Sequence, residues 1–221
     1  MYREVFIMKK EGIITRICET GLVAVVRAEN EDVALRVTEA CLEGGVPAIE
    51  ITFTVPGAHK VIETLAKRFS EEQIILGAGT VLDPETARIA ILSGAKYVVS
   101  PSLNTETVKL CNRYRIACMP GAMTIREVVE CLEVGADIVK IFPGELFGPQ
   151  IIKSIKGPVP QAELMPTGGV TTDNAAEWIK AGAVALGAGS SLTAGAKTGD
   201  YKRITETAKV FINKIKEARA K

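Results

Sequence analysis

A lysine among apolar neighbours is the first residue whose type and position suggest chemistry. Lys140 lies in the run Asp137–Phe142, which is otherwise apolar after its first residue. Strand side chains alternate between two faces, so Lys140 shares a face with Ile138, while Val139 and Ile141 share the other. A lysine in this setting is rarely buried without a purpose, and burial disfavours the charged ammonium. Lys140 is therefore a candidate Schiff-base nucleophile. The alternative is a lysine that extends its charged end into solvent.

An acid occupies a similar place in a second apolar run. Glu50 is the middle residue of Ala48–Thr52 and has an isoleucine on either side. It is either a structural ion-pair partner of Lys140 or Arg27, or a group that transfers protons for the lysine. We favour proton transfer, because a lysine and an acid at the ends of two separate strands form a stronger signal than either residue alone.

Two glycine-rich segments near the end of the sequence suggest an anion site. Thr167, Gly168 and Gly169 follow one apolar run, and Gly189 and Ser190 follow the next. Barrels often bind phosphate on the loops after their seventh and eighth strands, where glycine lets a ligand approach the backbone N–H groups closely. Each segment taken singly is a tight turn. The two together, with hydroxyl side chains beside them, favour phosphate or another anion.

The elements that would position these residues repeat along the sequence. Eight short apolar runs are each followed by an amphipathic helix, which predicts an α/β fold with a parallel sheet. The predicted strands are Leu22–Arg27, Ala48–Thr52, Ile74–Ala78, Tyr97–Ser100, Ile116–Met119, Ile138–Phe142, Glu163–Met165 and Val184–Leu186. The predicted helices begin near Glu31, Gly57, Pro84, Asn104, Thr124, Pro149, Thr172 and Tyr201.

Eight strand–helix units are the number that closes a barrel. The alternative is a doubly wound open sheet, but its GxGxxG fingerprint is absent after the first run. We therefore predict a single (β/α)8 barrel domain over residues 1–221, with an extra N-terminal helix at about 4–19 within residues 1–20. Such a barrel carries out its chemistry at the carboxyl ends of its strands, which is where Arg27, Glu50 and Lys140 lie.

The overall composition excludes several classes of protein. The 27 Lys and Arg residues against 26 Asp and Glu give a net charge of +1, which provides no electrostatic footprint for nucleic acid or an anionic membrane. A single histidine, His59, argues against a histidine-based metal site. Five cysteines without a CxxC pair are typical of reduced thiols. Since no run approaches the roughly 18 apolar residues of a membrane helix, and residues 1–12 lack the pattern of a secretory signal, we expect a cytoplasmic protein.

Six motifs in order resemble one known family. They are Ile49–Thr52, Gly77–Thr80, Ser100–Pro101, Met119–Gly121, Val139–Pro143 and Pro166–Gly169. They resemble the 2-keto-3-deoxy-6-phosphogluconate (KDPG) aldolases, also called 4-hydroxy-2-oxoglutarate (KHG) aldolases, from about Gly21 to Leu192. The resemblance implies a class I pyruvate aldolase, built as a (β/α)8 barrel and assembled as a homotrimer. An enzyme of this class would act on a small keto acid and would need no metal or cofactor.

The resemblance also implies roles for individual residues. Lys140 would be the Schiff-base lysine and Glu50 the acid and base. Thr80 and Pro101 would line the pyruvate pocket, and Gly168, Gly169 and Ser190 would hold phosphate. One position departs from the pattern, because the well-studied phosphogluconate enzymes carry an arginine four residues after the glutamate, where this chain has Thr54. Arg27 is the candidate to hold the substrate carboxylate instead.

We expect cleavage of KDPG to pyruvate and glyceraldehyde 3-phosphate. The alternative substrates are 4-hydroxy-2-oxoglutarate or another 2-keto-3-deoxy acid. Thr54 in place of arginine would bind the substrate carboxylate less tightly and so broaden the range of substrates. A phosphosugar isomerase or epimerase on the same barrel is the rival enzyme class, but it often needs paired acids or a metal site, and Glu50 is the one acid on the predicted core strand ends. A non-enzymatic metabolite-binding or assembly subunit would need no buried lysine–glutamate pair.

Overall fold

The computed structural model describes residues 9–220 and has an α/β fold in which strands and helices alternate. The strands are β1 Leu22–Val26, β2 Ala48–Thr52, β3 Ile75–Gly79, β4 Tyr97–Val99, β5 Ala117–Met119, β6 Gly121–Ala122, β7 Val139–Ile141, β8 Leu164–Pro166 and β9 Leu186–Ala188. The helices are α1 Lys10–Thr20, α2 Glu31–Glu43, α3 Ala58–Arg68, α4 Pro84–Leu92, α5 Thr105–Arg113, α6 Ile125–Glu133, α7 Gln150–Lys156, α8 Ala175–Lys180, α9 Ser190–Thr193 and α10 Tyr201–Arg219. Short 3₁₀ helices span Gly144–Leu146 and Ala194–Thr198.

Within residues 9–220, the strands form two parallel sheets. A curled six-stranded sheet has the order β5-β4-β3-β2-β1-β9, and a three-stranded sheet has the order β6-β7-β8. Pro120 alone separates β5 from β6, and an isolated parallel bridge joins Thr167, next to β8, to Gly187 in β9. The doubly wound alternative is wrong, because β1 to β5 lie side by side in sequence order and β9 returns to the free edge of β1.

The strands divide their side chains between two apolar cores. Outward residues such as Ile49, Ile51 and Val139 pack against the helices in the larger core. Inward residues form a smaller core with Ile13 and Ile17 of α1. Most of the inner core comes from the amino-terminal halves of the strands, so α1 covers that end and the polar inward residues are left to the carboxyl ends.

Some element boundaries differ from the sequence prediction. The last strand, predicted at Val184–Leu186, is β9 at Leu186–Ala188, because the small residues assigned to a turn pair with β1 instead. The helix predicted near Thr172 begins at Ala175. The leading helix is α1 from residue 10 onward, and its predicted residues 4–8 lie outside the described part of the chain.

Helix ends follow the capping chemistry of the sequence. Thr124 and Glu127 form the predicted capping box at the start of α6, and Asn104 and Asp83 accept backbone N–H groups at α5 and α4. From residue 9 to residue 220, no helix combines the length and the apolar character that crossing a membrane requires.

Candidate active site

β2 and β7 place Glu50 and Lys140 in the interior. Val139 and Ile141 belong to the outer core, so Lys140 faces inward as the alternation predicts. Lys140 is 5% exposed and Glu50 is 1% exposed. The Lys140 Nζ lies 4.9 Å from the centroid of the Phe142 ring, a cation–π contact that fixes the amine near the carboxyl end of β7.

Glu50 is a buried carboxylate without a hydrogen-bond partner. Neither of its two oxygens accepts a hydrogen bond from any group in residues 9–220. Burial raises the pKa of Glu50 above its ordinary value, and the positive charges of Lys140 and Arg27 partly oppose that rise. A side chain on Gly79 would collide with Oε1 of Glu50, so the carboxylate leans over Gly79. A buried acid beside a lysine, with a raised pKa, is suited to accept and return protons.

A cavity of about 510 Å³ lies at the carboxyl ends of β1, β8 and β9. It brings together six of the residues singled out from the sequence, which are Arg27, Thr167, Gly168, Gly169, Gly189 and Ser190. Gly168 and Gly169 have φ angles of 91° and 67°, left-handed conformations that favour glycine. The backbone therefore lines one wall of the cavity, and the Arg27 side chain and several hydroxyl groups line other parts of it.

Thr80 and Pro101 do not line this cavity. Thr80 follows β3 directly after Gly79 and has a φ of 56°, uncommon for a residue other than glycine. A side chain on Gly121 would collide with the backbone of Pro101, and Gly121 is paired in register with Lys140. Thr80 thus neighbours the glycine beneath Glu50, and Pro101 lies against the strand next to Lys140.

Sequence reasoning missed several residues of this cavity, of which Glu145 is the most unexpected. Glu145 lies in the 3₁₀ helix after β7, and a side chain on Gly168 would collide with its carboxylate. The backbone N–H of Gly144 donates to the carbonyl of Thr167 at 2.8 Å, which holds the two loops together. The one sequence signal for Glu145 is that an acid stands four residues after Ile141, the last residue of β7. The cavity therefore contains a negative charge beside the glycine segment.

Two further residues were also outside the prediction. Phe142 and Ser191 line the same cavity, and Phe142 also contacts the lysine. Ser191 lies in the short helix α9, which the sequence pattern above did not predict. Thr54, which stands where related enzymes have arginine, forms a 2.9 Å hydrogen bond between its hydroxyl and that of Thr52.

Known proteins resemble this chain in both sequence and structure. A family model described as KDPG and KHG aldolase matches residues 13–207. A 2-dehydro-3-deoxy-6-phosphogalactonate aldolase of Escherichia coli (strain K12) is 33% identical over 198 residues, covering 89% of this chain and 95% of that protein. A 2-dehydro-3-deoxy-phosphogluconate aldolase of Haemophilus influenzae is 34% identical over 170 residues, covering 76% and 79%.

Solved structures give the same picture. One described as native KDPGal superposes with a TM-score of 0.84 at 33% identity, covering 90% of this chain and 96% of that chain. The KDPG aldolase of Legionella pneumophila, with pyruvate captured as a covalent carbinolamine, has a TM-score of 0.83 at 26% identity, covering 92% and 98%.

Proposed function

From the premise that this chain belongs to the KDPG and KHG aldolase family, we propose that it cleaves KDPG to pyruvate and glyceraldehyde 3-phosphate through a Schiff base. One observation carries this proposal beyond family membership. Among residues 9–220, Glu50 and Lys140 are the only charged side chains that are buried. An amine and a carboxylate enclosed together match the needs of imine formation and proton transfer.

Each step of the reaction uses one of these two groups. The neutral amine of Lys140 attacks the C2 carbonyl, and loss of water gives an iminium that withdraws electrons from the C3–C4 bond. Ionised Glu50 takes the proton of the C4 hydroxyl, the C3–C4 bond breaks and the aldehyde leaves. Protonated Glu50 then returns its proton to C3 of the enamine. Water hydrolyses the resulting iminium and releases pyruvate.

The cavity at the ends of β1, β8 and β9 would hold the distal end of the substrate. Its glycine segment and the Ser190 hydroxyl offer donors for a phosphate, and Arg27 adds a positive charge. Thr80 and Pro101 would flank the pyruvate moiety, since they lie beside Gly79 and next to the strand of Lys140. No metal enters this chemistry, because the iminium supplies the electrophile.

We extend the proposal to the closure of the barrel, the assembly of the chain and its location. Closure of the two sheets into a single-domain (β/α)8 barrel is supported by the single residue, Pro120, that joins β5 to β6, and by the Thr167–Gly187 bridge. We further propose a homotrimer without a cofactor, as the family resemblance implies. We also propose a cytoplasmic location, which the five cysteines without a CxxC pair favour.

The decisive experiment is covalent trapping. Incubation with pyruvate and borohydride is expected to add a reduced pyruvyl group to the peptide that contains Lys140. The Lys140→Ala variant is expected to lose both the adduct and KDPG cleavage, whereas Lys180→Ala, which removes an exposed lysine, keeps both. An unmodified Lys140, or normal turnover in Lys140→Ala, contradicts the proposal. Turnover that EDTA abolishes and Mg²⁺ or Zn²⁺ restores contradicts the metal-free mechanism.

A second substrate is favoured by one specific comparison. The E. coli relative at 33% identity acts, by its name, on the phosphogalactonate compound, which differs from KDPG in configuration at C4. Measurement of kcat/KM for both compounds and for 4-hydroxy-2-oxoglutarate ranks them. Loss of one charged hydrogen bond costs about 1.5–3 kcal/mol, so an unphosphorylated substrate is expected to react at least about 10-fold less efficiently. Ser190→Ala is expected to lower kcat/KM only for the phosphorylated substrates. If the wild type has equal kcat/KM for phosphorylated and unphosphorylated substrates, the glycine segments serve only as turns.

A further inference from the structure

The cavity at the ends of β1, β8 and β9 contains an acid that the mechanism above does not use. Glu145 lines this cavity together with Arg27. Neither side chain has an ion-pair partner among residues 9–220, so the two charges do not neutralise each other by contact. A carboxylate beside the site of an anionic substrate opposes binding of the anion, so its presence there calls for another use.

The glycine segment gives Glu145 a defined position. A side chain on Gly168 would collide with the Glu145 carboxylate, and a Cβ on Gly169 would lie 2.7 Å from the Cβ of Glu145. The side-chain amide of Asn174 donates to the carbonyl of Gly169 at 2.8 Å and so fixes this loop. The two left-handed glycines therefore make room for an acid, and the acid rests on an ordered stretch of backbone.

The two charges lie on opposite sides of the cavity. Arg27 follows β1 and Glu145 follows β7, and the ends of β8 and β9 lie between them. A Cβ on Gly189, directly after β9, would lie 3.2 Å from Nη1 of Arg27, whereas Gly168, after β8, lies against Glu145. The cavity thus has a positive side, to which the Ser190 hydroxyl belongs, and a negative side.

The distal end of the proposed substrate offers two polar groups to these two sides. Beyond the C4 hydroxyl, whose proton goes to Glu50, KDPG carries a C5 hydroxyl and a C6 phosphate. The phosphate is attracted to Arg27 and repelled by Glu145. An ionised carboxylate can only accept hydrogen bonds, so the C5 hydroxyl is the group that Glu145 can bind.

We propose that Glu145 is a specificity-determining residue, which accepts a hydrogen bond from the C5 hydroxyl of the substrate while the phosphate lies on the Arg27 side. The inference rests on the proposed function for the identity of the substrate. Phe142 lines the same cavity and contacts Lys140, so a chain attached to the lysine leads past this ring into the cavity. Glu145 then selects substrates that carry a hydroxyl next to the phosphate-bearing carbon.

The test is the binding of two small phosphates to the full chain. Glycerol 3-phosphate carries a hydroxyl on the carbon that corresponds to C5, and 3-hydroxypropyl phosphate is the same molecule without that hydroxyl. Neither contains a carbonyl, so neither can form an imine. Dissociation constants come from the shifts of the backbone ¹H–¹⁵N signals of Gly168 and Ser190. A hydrogen bond to a charged group changes binding by at least about 10-fold, so the wild type is expected to prefer glycerol 3-phosphate by that factor.

Glu145→Ala removes the acceptor and is expected to bind the two compounds about equally. Glu145→Gln keeps a neutral acceptor of similar size, so it should retain only part of the preference. Glu163→Gln changes an exposed acid beside the amino-terminal end of β8 and should keep the full ratio.

Three results overturn this role of Glu145. They are equal binding of the two compounds by the wild type, a ratio that survives in either Glu145 variant, and an equal weakening of both compounds, which a merely structural change produces. Pyruvate trapping on Lys140 in the wild type tests the aldolase proposal separately. If no pyruvate is trapped, the aldolase proposal fails, yet the binding ratio still decides whether Glu145 recognises the hydroxyl.

Discussion

Glu50 is a residue whose surroundings oppose the charge that its proposed role requires. Its oxygens are buried without partners among residues 9–220, and burial raises the pKa of its carboxyl. Lys140 and Arg27 compensate in part. Active sites commonly hold groups in surroundings that cost stability, because a carboxyl with a pKa near the working pH exchanges protons readily. At this scale, activity and stability are expected to respond in opposite directions to one substitution.

Glu50→Gln is expected to slow cleavage by about 10²- to 10⁴-fold, the usual contribution of a general acid–base group, while pyruvate trapping on Lys140 remains.

The same substitution, Glu50→Gln, is also expected to stabilise the protein at neutral pH. In the folded state the pKa of Glu50 lies above its ordinary value of 4.5, so the folded protein binds this proton more tightly than the unfolded chain does. The free energy of unfolding of the wild type therefore falls as pH rises from the ordinary pKa to the folded-state pKa. The variant should gain up to about 1–3 kcal/mol at pH 8 and little at pH 4 in urea unfolding. A variant less stable than the wild type at pH 8 contradicts this, and Glu163→Gln, an exposed control, should match the wild type.

The residues of the site differ in how far the sequence could predict them. The inward orientations of Lys140 and Glu50 followed from alternation along a strand, since an odd or even position fixes the face. Glu145 lies in a loop, where no period determines direction, and it was missed.

The strand β3 acts at the scale of a whole element by presenting glycines on its inward face. Gly77 leaves room for the Tyr97 ring, and Gly79 leaves room for Glu50. Ala78 between them faces the outer core. The Gly-Ala-Gly sequence thus lets two neighbouring strands extend side chains across a third. Backbone atoms of a central strand cannot withdraw to admit a new side chain, because they are held in the ladder on both sides.

Gly79→Ala is expected to abolish most cleavage while leaving pyruvate trapping on Lys140 largely intact. The added Cβ would collide with Oε1 of Glu50, so the carboxylate must leave its place. We expect a kcat loss similar to that of Glu50→Gln, measured beside borohydride trapping of the same variant. Gly157→Ala is the matched control, because a Cβ there meets only ordinary contacts, the nearest at 3.6 Å. Wild-type turnover in Gly79→Ala contradicts the placement of Glu50.

The elements themselves were mostly predictable, with errors where small residues carry mixed signals. Asn104 and Thr124 marked helix starts correctly, because their side chains satisfy backbone N–H groups that would otherwise lack partners. Gly187 and Ala188 were assigned to a turn, yet they pair with β1. Glycine and alanine serve both turns and close strand packing, so composition alone does not separate the two uses. The sequence pattern likewise did not predict the break between β5 and β6 at Pro120.

At the scale of the whole molecule, α10 connects the ends of the described chain. It packs against α2 and α8, and the Arg219 guanidinium donates to the carbonyls of Cys18, Glu19 and Val184. These three carbonyls belong to the end of α1 and to the segment entering β9. The helix thus fastens the leading helix and the last strand at the end opposite the cavity. The carboxyl ends of the strands are left open to substrate.

Two exposed apolar faces suggest how copies of the chain would assemble. Ile89 and Leu92 lie on one face of α4 and are 47% and 69% exposed, while Ile125 and Val129 lie on one face of α6 and are 43% and 37% exposed. Exposed apolar patches of this kind often mark interfaces. A cyclic trimer needs two different patches on each copy, because each contact joins one patch to the other patch of the next copy. We expect α4 of one copy to contact α6 of its neighbour.

Leu92→Glu is therefore expected to convert a trimer of about three times the 23.6 kDa chain mass into monomers in sedimentation equilibrium. The physical reason is that a carboxylate in each of the three contacts would be buried without a partner. Ile125→Glu changes the opposite side of the same contact, so it should give the same result, and the double variant should add little further. Val210→Glu, on the 43% exposed position of α10, is the matched control and should remain trimeric. A wild-type mass of one or two chains, or a trimer that tolerates Leu92→Glu, contradicts this assembly. A trimer that loses its mass only with Val210→Glu would move the contact to α10.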